Sequence, residues 1–230
     1  MSPFLLTATA VVFAGLALWF RLRGAWKGEN GAYFILFLLS GAVCAALTAA
    51  SWWVGDRTAS LSIFMASRIF YGLSAFAAFL FARSFASSGD HRLFFWSVPF
   101  QLTVAVIVVN GDGLYLREGT QWVADRGHPA FFINAAVLLL YFILAVYHMS
   151  ALLVVLRREK KEEEARRVMV LLAALVLLLC AGILGSLLGV RTVLGRRLPL
   201  SELIYLVGVL LLSLTFRGWA AIRREGAGAG

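Results

Sequence analysis

Seven long apolar stretches, separated by short polar ones, take up almost the whole chain: Pro3 to Leu22, Gly31 to Val54, Leu61 to Phe85, Leu93 to Asn110, Pro129 to Leu156, Val168 to Gly189 and Pro199 to Ile222. At ~1.5 Å rise per residue, each is long enough as a helix to cross a hydrocarbon core of about 30 Å. None shows the alternation of apolar and polar residues expected of an outer-membrane barrel strand. Lipid cannot satisfy an open backbone N–H or C=O, which leaves helices. The pattern predicts an all-α polytopic membrane protein: one transmembrane domain over residues 1–225 built as a bundle of seven helices, then a disordered Gly-Ala tail, Gly226 to Gly230. The longest polar stretch, Gly111 to His128, is too short for a globular domain, and Gly111 to Gly113 predict a turn at its start.

Composition agrees. Of 230 residues 61% are hydrophobic and 14% charged, with mean hydropathy +0.86. Soluble domains hold about 45–50% apolar and about 25% charged residues. Soluble, disordered, collagen-like and disulfide-scaffold classes are excluded on these figures. Cys44 and Cys180 lie inside apolar runs with no CxxC, and read as small hydrophobes. The net charge of +9 sits in short loops. It therefore reads as an orientation signal in a bilayer, not as a nucleic-acid surface.

With the N-terminus outside, 14 of the 21 Lys and Arg residues fall on the inner side and 6 on the outer, Arg68 being inside a span. Trp52, Trp53 and Trp122 then mark the outer boundary, and Trp19, Trp26, Trp96 and Trp219 the inner one. The expected topology is N-terminus outside, C-terminus inside, in a bacterial inner membrane. Arg21 and Arg23 follow the first apolar run, with no positive region before it, so this segment reads as a retained span and not a signal peptide.

Ionisable groups at membrane depth are costly and point to function. Arg68 lies two turns into the third span and Glu202 at the outer end of the seventh. Two readings stand side by side: an anion or polar-ligand site lined by Arg68, or an Arg68–Glu202 pair that pins two helices. Tyr71 and Tyr205 lie one turn after these charges, and Asn134 near the outer end of the fifth span completes the candidate cluster. Trp122 and His128 are further candidate walls from the adjoining loop. His148 is the only histidine within a span. One imidazole does not make a bis-histidine haem site, so an interhelical hydrogen bond is expected there. Gly185 and Gly189, and the small-residue face Gly41, Ala42, Ala45, Ala46 and Ala49, read as close helix packing.

The run from Arg157 to Arg167, RREKKEEEARR, carries six basic and four acidic residues. It is expected to extend the neighbouring helices beyond the bilayer. Arg157, Arg158, Glu162, Glu163, Glu164, Arg166 and Arg167 are its candidate partner-docking residues, with a plain solvated helix extension as the alternative. Glu162, Glu163 and Arg167 also fit the EExxxR pattern of intramembrane proteases, but that chemistry needs membrane-embedded residues and histidines placed to hold a metal. No P-loop or metal-ligand spacing occurs in the sequence, and the expectation is a non-enzyme without cofactor or metal.

The third span and its flanks read ASRIFYGLSAFAAFLFARSFASSG. Arg68 then Tyr71 near the start of this helix and Arg83 near its end, Pro99 in the fourth span, and Trp122 and Gly127 before a long fifth span together resemble the seven-transmembrane N-terminal sensor region of bacterial histidine kinases. The paired prolines often found midway along the third helix of that family are replaced by Ser74 and Ala75. The resemblance implies a sensor-like bundle, here without a kinase or other output module. The expected function is an integral membrane sensor or adaptor that passes a signal from the outer half of the bundle to a protein partner. The alternatives are a structural subunit of a larger membrane complex and a small transporter or channel.

The charge count generates a direct test. A reporter fused at Gly230 should read as cytoplasmic, and one inserted between Gly111 and His128 as external. External activity of the Gly230 fusion would overturn the topology.

Overall fold

The computed structural model describes residues 3–24, 28–86, 93–119, 121–182 and 207–214. Among these the chain is helical apart from one β-hairpin. The helices are α1 (Pro3–Leu22), α2 (Glu29–Trp53), α3 (Arg57–Ala86), α4 (Leu93–Leu114), α5 (Pro129–Arg158) and α6 (Glu162–Gly182). Residues 207–214 are also helical. Helices α1 to α5 are each long and apolar enough to cross a membrane. Gly185, Gly189, Glu202 and Tyr205 lie outside the described residues.

The helix ends follow local chemistry. Asp56 caps α3, accepting from Ala59 N through Oδ2 at 2.6 Å and from Ser60 N through its carbonyl at 3.0 Å. His128 caps α5, with Nδ1 accepting from Ala130 N at 3.2 Å, and Pro129 occupies the first helical position. Between α5 and α6 the chain turns at Lys160, whose φ of 58° is left-handed. Lys160 N donates to the Arg157 carbonyl at 3.2 Å and Lys161 N to that of Leu156 at 3.0 Å, the paired bonds of a Schellman turn. Glu162, Glu163 and Glu164 then fill the first turn of α6, where carboxylates favour the positive helix end.

Two local expectations change. Gly111 to Gly113 do not turn: α4 continues through them to Leu114. Met65 packs against Gly111, where a Cβ would come within 2.2 Å of its Cε. The polar stretch that follows is not a plain loop. Tyr115–Glu118 (β1) pairs antiparallel with Gln121–Ala124 (β2), and Gly119, at φ 64°, supplies the left-handed turn position. Arg83, near the end of the third span as expected, is buried in the last turn of α3.

The described contacts divide the chain into two compact units, Met1–Ala78 with Gly89–Tyr141, and Phe79–Ser88 with Phe142–Gly230. In the first, α1 packs on α2, and Gly41 lets the Phe13 ring approach: a Cβ there would lie 2.7 Å from it. Gly72 of α3 likewise admits Phe100 and Thr103 of α4. α2 and α3 have 67% and 56% of their apolar windows buried, against 22% for both α1 and α4, so α2 and α3 carry the core and the other two expose more surface for lipid. In the second unit, Gly208 sits against Leu178 and the Ala174 carbonyl of α6, with a Cβ only 3.0 Å from the leucine. The ring of His148 faces Phe79 at 5.9 Å and Tyr147 at 5.6 Å, so the contacts shown there are aromatic.

Pro99 lies inside α4, at its seventh residue. Proline lacks an N–H and crowds the preceding turn, loosening the helix. Tyr141 of α5 fills the opening: its hydroxyl donates to the Trp96 carbonyl at 2.7 Å and accepts from Phe100 N at 2.9 Å. The hydroxyl stands between two groups that would otherwise bond each other within the helix. Tyr141→Phe should lower stability by about 1–3 kcal/mol, because two buried backbone groups lose their shared partner. Adding Pro99→Ala should recover part of this, because an uninterrupted α4 can close its own bonds. Thermal unfolding of both variants in detergent checks this, and an unchanged midpoint for Tyr141→Phe would refute it.

Candidate functional site

Arg68 stands eleven residues after the start of α3, about 16 Å along the helix at ~1.5 Å per residue. Its Nη2 donates to Thr48 Oγ1 of α2 at 2.9 Å and its Nε to Ser67 Oγ at 3.2 Å. The guanidinium carbon lies 4.6 Å from the centre of the Phe64 ring and 5.8 Å from that of Tyr71. These are the i−4 and i+3 neighbours on one face of α3, so helical spacing alone builds a pair of ring faces around the charge. Among the described residues no carboxylate lies within ion-pair distance of Arg68. A guanidinium has five N–H donors, and two hydroxyls here take two of them.

The hydroxyls belong to a longer polar chain. Thr48 Oγ1 donates to the Cys44 carbonyl at 2.8 Å and Ser67 Oγ to that of Phe64 at 2.6 Å. Ser51 Oγ donates to the Thr48 carbonyl at 2.8 Å, and Ser60 Oγ of α3 to the Ser51 carbonyl at 2.6 Å. Trp122 of β2 then donates its indole N–H to Ser60 Oγ at 2.8 Å. Beside it, Tyr115 of β1 meets the Phe64 ring edge-on at 5.1 Å. The hairpin is thereby tied to the stripe of α3 that holds Arg68: Ser60, Phe64, Ser67, Arg68 and Tyr71.

Tyr115 and Trp122 are each 5% exposed, well buried for residues of a hairpin. Burial pushes the Tyr115 phenol up from 10.0 to about 12, with the Arg68 charge pulling the other way. Folding therefore favours the neutral phenol. That contribution is complete below the ordinary value near 10 and is lost as pH rises through about 12.

Of the residues singled out from sequence, Arg68 and Tyr71 come together. Trp122 joins them through Ser60 and is therefore more than an interfacial anchor. Asn134 is not hydrogen-bonded to this cluster among the described residues; its Oδ1 is buried without a partner there. His128 lines a separate cleft of about 310 Å³ with Met65, Asn110 and Asp112. Thr48, Ser51 and Ser60 were missed by sequence reasoning, because a hydroxyl inside an apolar run gives no signal of which helix it faces.

The other candidate surface is the α5–α6 turn. Arg157, Arg158, Glu162, Glu163, Glu164 and Arg166 are exposed and Arg167 partly so. Arg167 pairs with Glu163 one turn earlier, and Lys161 Nζ with Glu159 at 2.8 Å. The charged run ends α5 and begins α6.

No protein-family model, curated protein or solved structure matches the chain.

Thr48→Val should destabilise the protein by about 1–3 kcal/mol, since it strips a partner from a half-buried charged donor. Thr48→Val combined with Arg68→Leu should be less destabilised than Thr48→Val alone. A double-mutant cycle on unfolding in detergent measures the coupling, and strict additivity would show that the 2.9 Å contact carries no energy.

Proposed function

We propose that this chain is a seven-span sensor or adaptor module of a bacterial inner membrane, non-catalytic, with its N-terminus outside and its C-terminus inside. The observation that carries the reading is Arg68: a guanidinium within a candidate span, held by hydroxyls and ring faces, with donors unmatched among the described residues. A purely structural arginine at such depth is expected to be matched by a carboxylate; the described residues around this one supply hydroxyls. The resemblance of the third span to kinase-associated sensor bundles supports the same reading. In it, the hairpin and the Arg68 stripe form the receiving end. The exposed charges at the α5–α6 turn meet a cytoplasmic or membrane partner.

The second reading, a structural subunit of a larger complex, is favoured by the polar residue Gln101 on an exposed face of α4. A transporter would use a broken helix to hold its substrate; the opening after Pro99 is instead closed by Tyr141.

The two main readings part on one experiment. Reversing Glu162, Glu163 and Glu164 to lysine should abolish copurification of the partner from native membranes without loss of folded protein. Arg68→Gln should change the amount of partner recovered, although it lies in a different part of the sequence. A stoichiometric assembly indifferent to both changes would overturn the sensor reading in favour of the structural one.

A further inference from the structure

The lipid-exposed stripe of α4 includes a side chain that lipid cannot serve. Phe94, Val98, Leu102, Val108 and Val109 are all exposed, as an apolar helix face in a membrane should be. Gln101 is exposed among them. It is the ninth residue of a 22-residue helix, about 8 Å past the boundary residue Trp96 at ~1.5 Å per residue, and so inside a ~30 Å core.

Several small hydroxyls of these helices are served locally. Thr9, Ser40, Thr48 and Ser213 each donate to the carbonyl four residues earlier, at 2.7–2.9 Å. An amide cannot be satisfied in that way, since it has two N–H donors and an oxygen with two lone pairs. Gln101 gives one N–H to Ser97 Oγ at 2.9 Å. Among the described residues its Oε1 and second N–H have no partner, and hydrocarbon offers none.

We infer that α4 is the interface of a homodimer, in which the Gln101 amides of two copies hydrogen-bond to each other across a two-fold axis, within the bilayer. The amide itself argues for a second copy of this chain. It presents one free donor beside one free acceptor, so two identical amides related by a two-fold satisfy each other reciprocally. The positions around it suit the contact. Val98, Gln101, Ala105 and Val108 follow the alternating spacing of three and four that makes a seam between two helices crossing at a shallow angle. Ala105, also exposed, is one turn from Gln101 and small enough to let two backbones close on the amide pair. The contact is independent of what Arg68 binds, and goes beyond the sensor reading without relying on it.

The test uses the full chain with a fluorophore at its C-terminus, in phosphatidylcholine vesicles at low protein-to-lipid ratio. Single-molecule photobleaching should report dimers for the wild type and for Gln101→Asn, which keeps an amide. It should report monomers for Gln101→Leu, a change that places a lipid-like side chain on an already exposed face and leaves the fold intact. In a Cys44→Ala, Cys180→Ala background, Ala105→Cys should cross-link to itself under mild oxidation. Val12→Cys, on the exposed face of α1, should not. A monomeric wild type, a dimer that survives Gln101→Leu, or cross-linking as strong through Val12→Cys as through Ala105→Cys would each overturn the inference.

Discussion

Hydrocarbon donates no hydrogen bond and accepts none, so a polar atom inside a span is costly unless the protein matches it. This one constraint accounts for the details that distinguish the helices from plain apolar rods. Small hydroxyls fold back on the preceding turn of their own helix, as Thr9, Ser40 and Thr48 do. Pro99 leaves a ladder that cannot close by itself, and α5 answers with the hydroxyl of Tyr141. Arg68 cannot be satisfied by its own helix, so α2 contributes Thr48 and α3 two ring faces. The last two solutions tie one helix to another. In a solvent where apolar side chains gain nothing by leaving lipid for protein, such polar matches and close small-residue contacts decide which helices pair.

Close contacts supply the second half. Gly41 against Phe13 and Gly72 against Phe100 bring α2 to α1 and α3 to α4, while Gly208 serves α6. A methyl group at Gly41 would meet the Phe13 ring at 2.7 Å, far inside van der Waals distance. These glycines are therefore used for proximity, within regular helices, and not for unusual backbone angles. Polar matches and small residues act on different pairs, hydrogen bonds joining α2 to α3 and glycines joining α2 to α1 and α3 to α4, and α2 and α3, which take part in both, are the most enclosed helices.

The helices were legible because an apolar run long enough to span a membrane can do little else. Their ends were less so. Gly111 and Gly113 normally signal a turn, yet tertiary packing overrides that preference: the space left by Gly111 is taken by Met65, and α4 runs on. The hairpin escaped notice because four-residue strands are too short to show alternation. Arg68 and Tyr71 were visible because a charge inside an apolar run stands out and helical spacing gives its neighbour. Ser60 and Thr48 were invisible for the opposite reason, since serine and threonine are common in spans and are satisfied there by their own helix. Only the fold reveals that Ser60 reaches from α3 to both the Ser51 carbonyl and Trp122.

That shared stripe gives physical content to the idea of a receiving end. Ser60, Phe64 and Arg68 are spaced by four along α3, so they stand one above another on a single face. The hairpin touches the first two, through Trp122 and Tyr115, and the guanidinium lies over the second. Phe64 is thus sandwiched between a residue of the hairpin and the charge in the span. A group that binds Arg68 more tightly in one arrangement of these rings than in another biases the hairpin by that difference in affinity and no more. The reverse holds equally: anything that shifts the hairpin alters the surroundings of Arg68 by the same free energy. The polar chain from Trp122 to Thr48 joins the hairpin to the surroundings of Arg68 a second time, through hydrogen bonds.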